Sequence, residues 1–202
     1  VHIAHISTKN AVDMVRQAKK KGLRVTAEAT PQHMILTDEA IRSFETRFKV
    51  NPPLRSDDHR TAVVEGLKDG TIDAIVTDHA PHEWEEKDQE FNLAPSGFVG
   101  LETSVGAVLT YLYHTGEVDL MTIVNAMSTA QAKILRLDAG VIAPGKDADL
   151  TILDLDKEWT VDASAFYSKG KASPFDEMIF KGKAVATVVD GAFVMKDGEV
   201  LR

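Results

Sequence analysis

A chain of 202 residues, 44% of them hydrophobic, can bury a real core, and its formal charge of -8 argues against a polyanionic partner, which needs Lys and Arg clustered on one face. The sequence contains no cysteine, so disulfides and Cys-ligated zinc are excluded, any metal must sit on histidines and carboxylates, and a reducing cytoplasm is compatible. No apolar run approaches the roughly 18 residues of a membrane span, so neither nucleic acid nor membrane is an expected partner.

Residues 1–6, Val1-His2-Ile3-Ala4-His5-Ile6, read as a buried strand. A chain that opens inside a core strand, without Met, is expected to be part of a longer protein. Ser7 or Thr8 can cap a helix that carries Ala11, Val15 and Ala18 on one face and ends at Gly22. The run Lys19-Lys20-Lys21 suits the negative end of that helix better than a binding patch. A strand follows at 25–29, then a short capped helix at 37–41, an extended piece at 48–50 and a loop forced by Pro52 and Pro53. Residues 57–68 form a second amphipathic helix with Ala62, Val63 and Leu67 inward, stopped by Asp69-Gly70, and 72–77 is another apolar strand.

Short connections between alternating strands and helices predict parallel strands with crossover helices, as in part of a barrel. Residues 78–99 make a long polar loop bracketed by Pro81 and Pro95, of a length that is usually functional in a compact domain. Helices are expected at 100–115, 119–127 and 129–136. From residue 139 the texture becomes short β-branched runs between turns such as Asp190-Gly191 and Asp197-Gly198, the pattern of a small antiparallel sheet. Two units are therefore predicted, residues 1–138 and 139–202.

Of seven histidines, His59 and His114 fall at helix ends and read as solvated surface residues. His5 and Asp78 stand at the C-terminal ends of predicted strands, where α/β barrels carry their active sites. A neutral imidazole can ligate zinc and a carboxylate beside bound water can take its proton, but a strand-end histidine can equally cap neighbouring helix groups. Asn51, before Pro52, has an ordinary reading as a turn residue.

The run Thr77-Asp78-His79-Ala80-Pro81-His82 resembles the signature of the amidohydrolase superfamily, in its dihydroorotase and hydantoinase branch. Three further stretches agree in order: His2-Ile3-Ala4-His5-Ile6-Ser7-Thr8, Asn51-Pro52-Pro53-Leu54-Arg55, and Pro95-Ser96-Gly97-Phe98-Val99-Gly100-Leu101-Glu102-Thr103. Together they resemble class I dihydroorotases, while Ala143-Pro144-Gly145-Lys146-Asp147-Ala148-Asp149 resembles the start of the β-sandwich shared across the superfamily.

The resemblance implies an α/β fold, a partial TIM-like (β/α) barrel followed by part of a small C-terminal β-sandwich. It implies a pair of zinc ions, with His5 on the second and Asp78 on the first, Asp78 also moving the proton. Asn51 would hydrogen-bond the substrate ring, His82 would meet its carboxylate, and the backbone of Ser96 and Gly97 would close over it. The implied reaction is reversible cyclisation of N-carbamoyl-L-aspartate to L-dihydroorotate, a step of pyrimidine biosynthesis. Three histidines stay outside that site. By strand alternation His2 should face away from His5. His33 in Gln32-His33, where relatives often carry two histidines, reads as structural, and His79 has no assigned role.

Ser96 also departs from the bulkier residue common before that glycine. The His-x-His pair, arginine, bridging carboxylate and further histidine of related enzymes have no counterpart in these residues, so the chain alone would hold only part of the metal site and be inactive. Two alternatives stand beside this reading. One is a hydantoinase, dihydropyrimidinase or allantoinase, disfavoured by Asn51 joined to His82. The other is a non-catalytic subunit supporting aspartate transcarbamoylase, disfavoured by the presence of both His5 and Asp78. A homodimer is the expected assembly.

Overall fold

The computed structural model describes residues 1–201. Three short strands, β1 (His2–Ile3), β2 (Thr26–Ala29) and β3 (Ala74–Ile75), form a parallel sheet in the order β1-β2-β3. Ile3 pairs with Ala27, and Ala29 with Ile75. The crossovers are helical, as parallel pairing requires. Helix α1 (Lys9–Lys20) joins β1 to β2, and α2 (Pro31–Ile35) and α3 (Asp57–Lys68) lie between β2 and β3.

Local chemistry explains the helix ends. Thr8 accepts a hydrogen bond from the Ala11 amide at 3.3 Å and caps α1, while Lys19 and Lys20 occupy its last turn. Asp57 and Asp58 open α3, and Lys68 closes it. Val12 and Val15 of α1 and Val63, Val64 and Leu67 of α3 join Ala27, Ala29, Ile72 and Ile75 in one buried cluster.

Helix α4 (Trp84–Lys87) interrupts the loop after β3. Then come α5 (Ser104–Val108), α6 (Leu120–Val124) and α7 (Ala130–Leu135), with π-helical turns at Leu109–Tyr113 and Asn125–Thr129. The C-terminal part is one antiparallel sheet, β4 (Leu150–Thr160), β5 (Ile179–Val189), β6 (Ala192–Lys196) and β7 (Glu199–Val200), paired in chain order. Phe180 of β5 is fully buried and meets Trp159 edge-on at 5.5 Å and Tyr111 at 6.1 Å. Gly106 of α5 permits this docking, because a Cβ there would lie 2.5 Å from the Phe180 ring.

Several expectations are corrected. The opening strand is two residues long and exposed, pairing among the described residues with β2; burial begins at Ile6. The inward face of α1 is Val12 and Val15, with Ala11 and Ala18 only half-buried. Residues 37–41 were expected as a capped helix, but the segment is a 3-10 helix, Asp38–Ser43, without a side-chain cap. A second 3-10 turn, Thr46–Phe48, replaces the start of the extended piece. The strand expected at 72–77 is reduced to Ala74–Ile75. His59 and His114 are half-buried rather than solvated, because His59 Nδ1 accepts from the Lys9 amide and His114 Nε2 donates to the Leu155 carbonyl.

Candidate active site

The C-terminal ends of the three parallel strands bring together His5, Glu28 and Asp78. His5 and Asp78 both have left-handed backbone, φ 49° and 51°. For a residue with a Cβ that conformation costs about 1 kcal/mol or more, and such strain gathers where side-chain placement matters more than stability. His5 Nε2 lies 3.9 Å from Asp78 Oδ1 and 3.3 Å from Glu28 Oε1. All three side chains are largely shielded, Glu28 most.

The other oxygen of Glu28 lies 2.8 Å from His2 Nε2, and His2 Nδ1 lies 2.8 Å from Thr26 Oγ1. His2 and His5 therefore face the same carboxylate, contrary to the alternation argument. Alternation holds only along a continuous strand. β1 ends at Ile3, and the left-handed turn at His5 swings the second imidazole back.

Behind these side chains, Gln32 is buried and donates from Nε2 to the Thr77 carbonyl at 3.3 Å, steadying the backbone just before Asp78. His33 is also buried; Nε2 donates to the Pro52 carbonyl at 2.8 Å and Nδ1 meets Thr30 Oγ1 at 2.7 Å. Desolvation lowers its pKa below the ordinary value, against smaller opposing effects from the Pro52 carbonyl and Asp78. Its neutral ring thus ties the loop carrying Asn51 to the strand ends. Asn51 itself is exposed.

The loop 78–99 folds back on its own start. His79 bridges Phe98 as a parallel pair, the Ala80 amide donates to the Phe98 carbonyl at 3.0 Å, and His79 Nδ1 accepts from the Gly100 amide. This return places Ser96 and Gly97 beside His82. His82 Nε2 lies 3.1 Å from the Ser96 carbonyl and Nδ1 lies 3.1 Å from Glu86 Oε2. Gly97 has φ 126°, and a Cβ there would lie 2.7 Å from the Ala80 Cβ and 3.1 Å from His82 Nε2. Only glycine fits this backbone and this approach.

The residues singled out in the sequence therefore fall into two groups. His5 and Asp78 are near neighbours; His82, Ser96 and Gly97 are in mutual contact. Asn51 joins the second group through the backbone, since the Gly97 amide donates to the Lys49 carbonyl at 2.9 Å. Sequence reasoning missed Glu28. The available signal was a lone carboxylate in the otherwise small and uncharged strand Thr26–Ala29.

An imidazole nitrogen and a carboxylate oxygen 3.9 Å apart can both line one binuclear centre, whose ions lie about 3.5–4 Å apart. The donor types suit zinc. They are only part of such a site, for among the described residues no group of three or more His, Cys, Asp or Glu side chains is arranged to hold a metal ion. A cavity of about 480 Å³ lies elsewhere, between α5 and the antiparallel sheet, walled by Trp159, Phe166, Tyr167 and Lys183. None of the singled-out residues lines it. No helix among the described residues is long and apolar enough to cross a membrane.

Comparison with known proteins adds three findings. The model of the amidohydrolase family matches residues 1–194. A protein of Pelotomaculum thermopropionicum named dihydroorotase is 51% identical over 197 residues, covering 98% of this chain and 46% of that protein, and the dihydroorotase of Bacillus subtilis is 45% identical over 201 residues, covering 100% and 47%. The solved structure of L-hydantoinase (dihydropyrimidinase) from Arthrobacter aurescens superposes with a TM-score of 0.95 at 36% identity, over 100% of this chain and 46% of that one. The chain thus spans about half the length of the relatives it matches.

Proposed function

Since this chain belongs to the amidohydrolase family, we propose that the complete protein is a zinc-dependent dihydroorotase that interconverts L-dihydroorotate and N-carbamoyl-L-aspartate. The observation that carries this reading is the identity of about half of all aligned residues to proteins named dihydroorotase, 51% and 45%, against 36% to the L-hydantoinase of nearly superimposable fold. In this reading residues 1–138 contribute to a (β/α) barrel and residues 139–202 to a β-sandwich.

His5 and Asp78 would hold zinc together with ligands from outside these residues. Zinc, when bound, supplies Lewis-acid polarisation of the ring carbonyl and a more acidic water. The Asp78 carboxylate takes the proton from the attacking water and returns it to the ring nitrogen as the C–N bond breaks; ring closure runs the same steps in reverse. The shielding of Asp78 keeps that proton from bulk water. Asn51 presents its amide to the ring, and the Ser96-Gly97 backbone closes over it. His82, held between the Ser96 carbonyl and Glu86, is the side chain that a substrate carboxylate would meet. That last contact separates a carboxylate-bearing ring from an uncharged hydantoin.

Turnover of L-dihydroorotate, hydantoin and allantoin by the complete protein tests the reading. Dihydroorotate should be the preferred substrate, and preference for either of the other two rejects the assignment.

A further inference from the structure

The geometry points to Lys87 as a positioning residue that, with Lys49, holds the 91–97 loop so that the Ser96-Gly97 backbone faces the site. Lys87 is only 3% exposed, yet it carries an ammonium. It forms no ion pair among the described residues; Nζ instead donates to the Pro95 carbonyl at 3.0 Å and the Gly97 carbonyl at 2.8 Å, the two that flank Ser96. Lys49 complements it, with Nζ donating to the carbonyls of Phe91 at 2.7 Å, Asn92 at 3.1 Å and Ala94 at 2.6 Å.

Carbonyls 91, 92, 94, 95 and 97 are thus drawn to two ammonium groups. The Ser96 carbonyl is left to turn the other way, to His82 Nε2. The network is closed by the Gly97 amide on the Lys49 carbonyl and by Thr46 Oγ1 on the Lys87 carbonyl at 2.6 Å.

Burying an unneutralised ammonium is unfavourable, and here burial, with repulsion from Lys49, brings the Lys87 pKa down to about 8. A fold that needed only to fill this space would do better with methionine. What the ammonium adds is direction, because its hydrogens point apart and can gather carbonyls that no apolar side chain would hold. The residues it orders are those proposed to close over the substrate ring. Removing it should therefore weaken substrate binding uniformly in the ground and transition states, which raises KM and spares kcat.

This inference rests on the amidohydrolase reading of Ser96 and Gly97, and its test can fail separately from that reading. In the complete protein, Lys87→Met should raise KM roughly tenfold with kcat changed less than about threefold, for whichever cyclic amide the unmodified protein prefers. The identity of that amide judges the dihydroorotase assignment; the KM ratio judges Lys87. Hydrogen exchange supplies a readout independent of turnover, the Gly97 amide exchanging faster in Lys87→Met. Should that variant not fold, Lys49→Met must show the same two changes in smaller degree. An unchanged KM and unchanged Gly97 exchange would overturn the inference, as would a fall in kcat at constant KM or a loss of thermal stability with KM unaltered.

Discussion

At the end of the parallel sheet where β2 and β3 begin, charges are paired and the backbone is relaxed, whereas at the end where the strands finish the pairing is looser and the backbone is strained. Asp73 accepts from the Ala27 amide at 2.8 Å and from Lys19 at 2.7 Å, Lys19 also reaches the Gly70 carbonyl, and Arg16 spans Asp13 and Asp69. The left-handed residues at that end are glycines, Gly22 and Gly70. At the other end they are His5 and Asp78. One end is built for stability; the other spends stability on holding an imidazole and a carboxylate 3.9 Å apart.

Replacing Asp78 should break this contrast most sharply. In the complete protein, Asp78→Gly should lower kcat/KM by about 10³-fold or more, since the proposed proton carrier is lost. With the metal stripped from both proteins, the same change should raise stability by about 0.5–1 kcal/mol, because glycine meets no Cβ penalty at φ 51°. Activity assays and denaturant unfolding check both halves. A metal-stripped variant less stable than the metal-stripped parent would show that Asp78 is structural. The mirror experiment is Asp73→Asn at the opposite end. It should cost about 1–3 kcal/mol, as a charged acceptor shared by Lys19 and the Ala27 amide is weakened, with kcat within twofold of the unmodified protein.

A smaller effect follows from His33, whose folded-state pKa is depressed by burial below the 6.5 of the unfolded chain. Between that depressed value and 6.5 the unfolded state binds more protons, so stability falls as pH drops through this window and is constant above it as far as this group is concerned. Unfolding free energy measured from pH 7.5 to 5.5 should decline, and His33→Gln should remove that part of the slope. Its substitution also frees the Pro52 carbonyl, so the Asn51 loop should loosen at the same time.

What the sequence disclosed divides along the same line. The helices were legible where period and end charges agreed; Asp57–Lys68 was read to the residue because carboxylates open it and Lys68 with Asp69-Gly70 closes it. Strands were not, since ladders of two residues are decided by what they pair with rather than by their own composition. The nearness of His5 and Asp78 was legible from strand ends and motif. Their backbone was not, because left-handed turns at His and Asp carry no glycine to announce them, and that hidden turn is why His2 was placed on the wrong side. Glu28 and Lys87 were missed for different reasons. Glu28 is a single carboxylate within a strand read by its apolar neighbours, whereas Lys87 lies in Glu85-Glu86-Lys87-Asp88, whose ordinary reading is solvated, and only the tertiary fold removes it from water.

The smallest effect should come from Arg16, which makes the most salt bridges at the relaxed end. Its partners Asp13 and Asp69 are each nearly half exposed, so solvent and salt screen both pairs. Asp69 also keeps a second partner, the Thr71 amide at 2.9 Å, when the guanidinium is gone. Arg16→Ala should therefore cost no more than about 0.5 kcal/mol at low salt and less at 1 M NaCl, with no change in kcat or KM. A salt-independent loss above about 1.5 kcal/mol would mean that the aliphatic stem of Arg16, and not its charge, is what the relaxed end relies on.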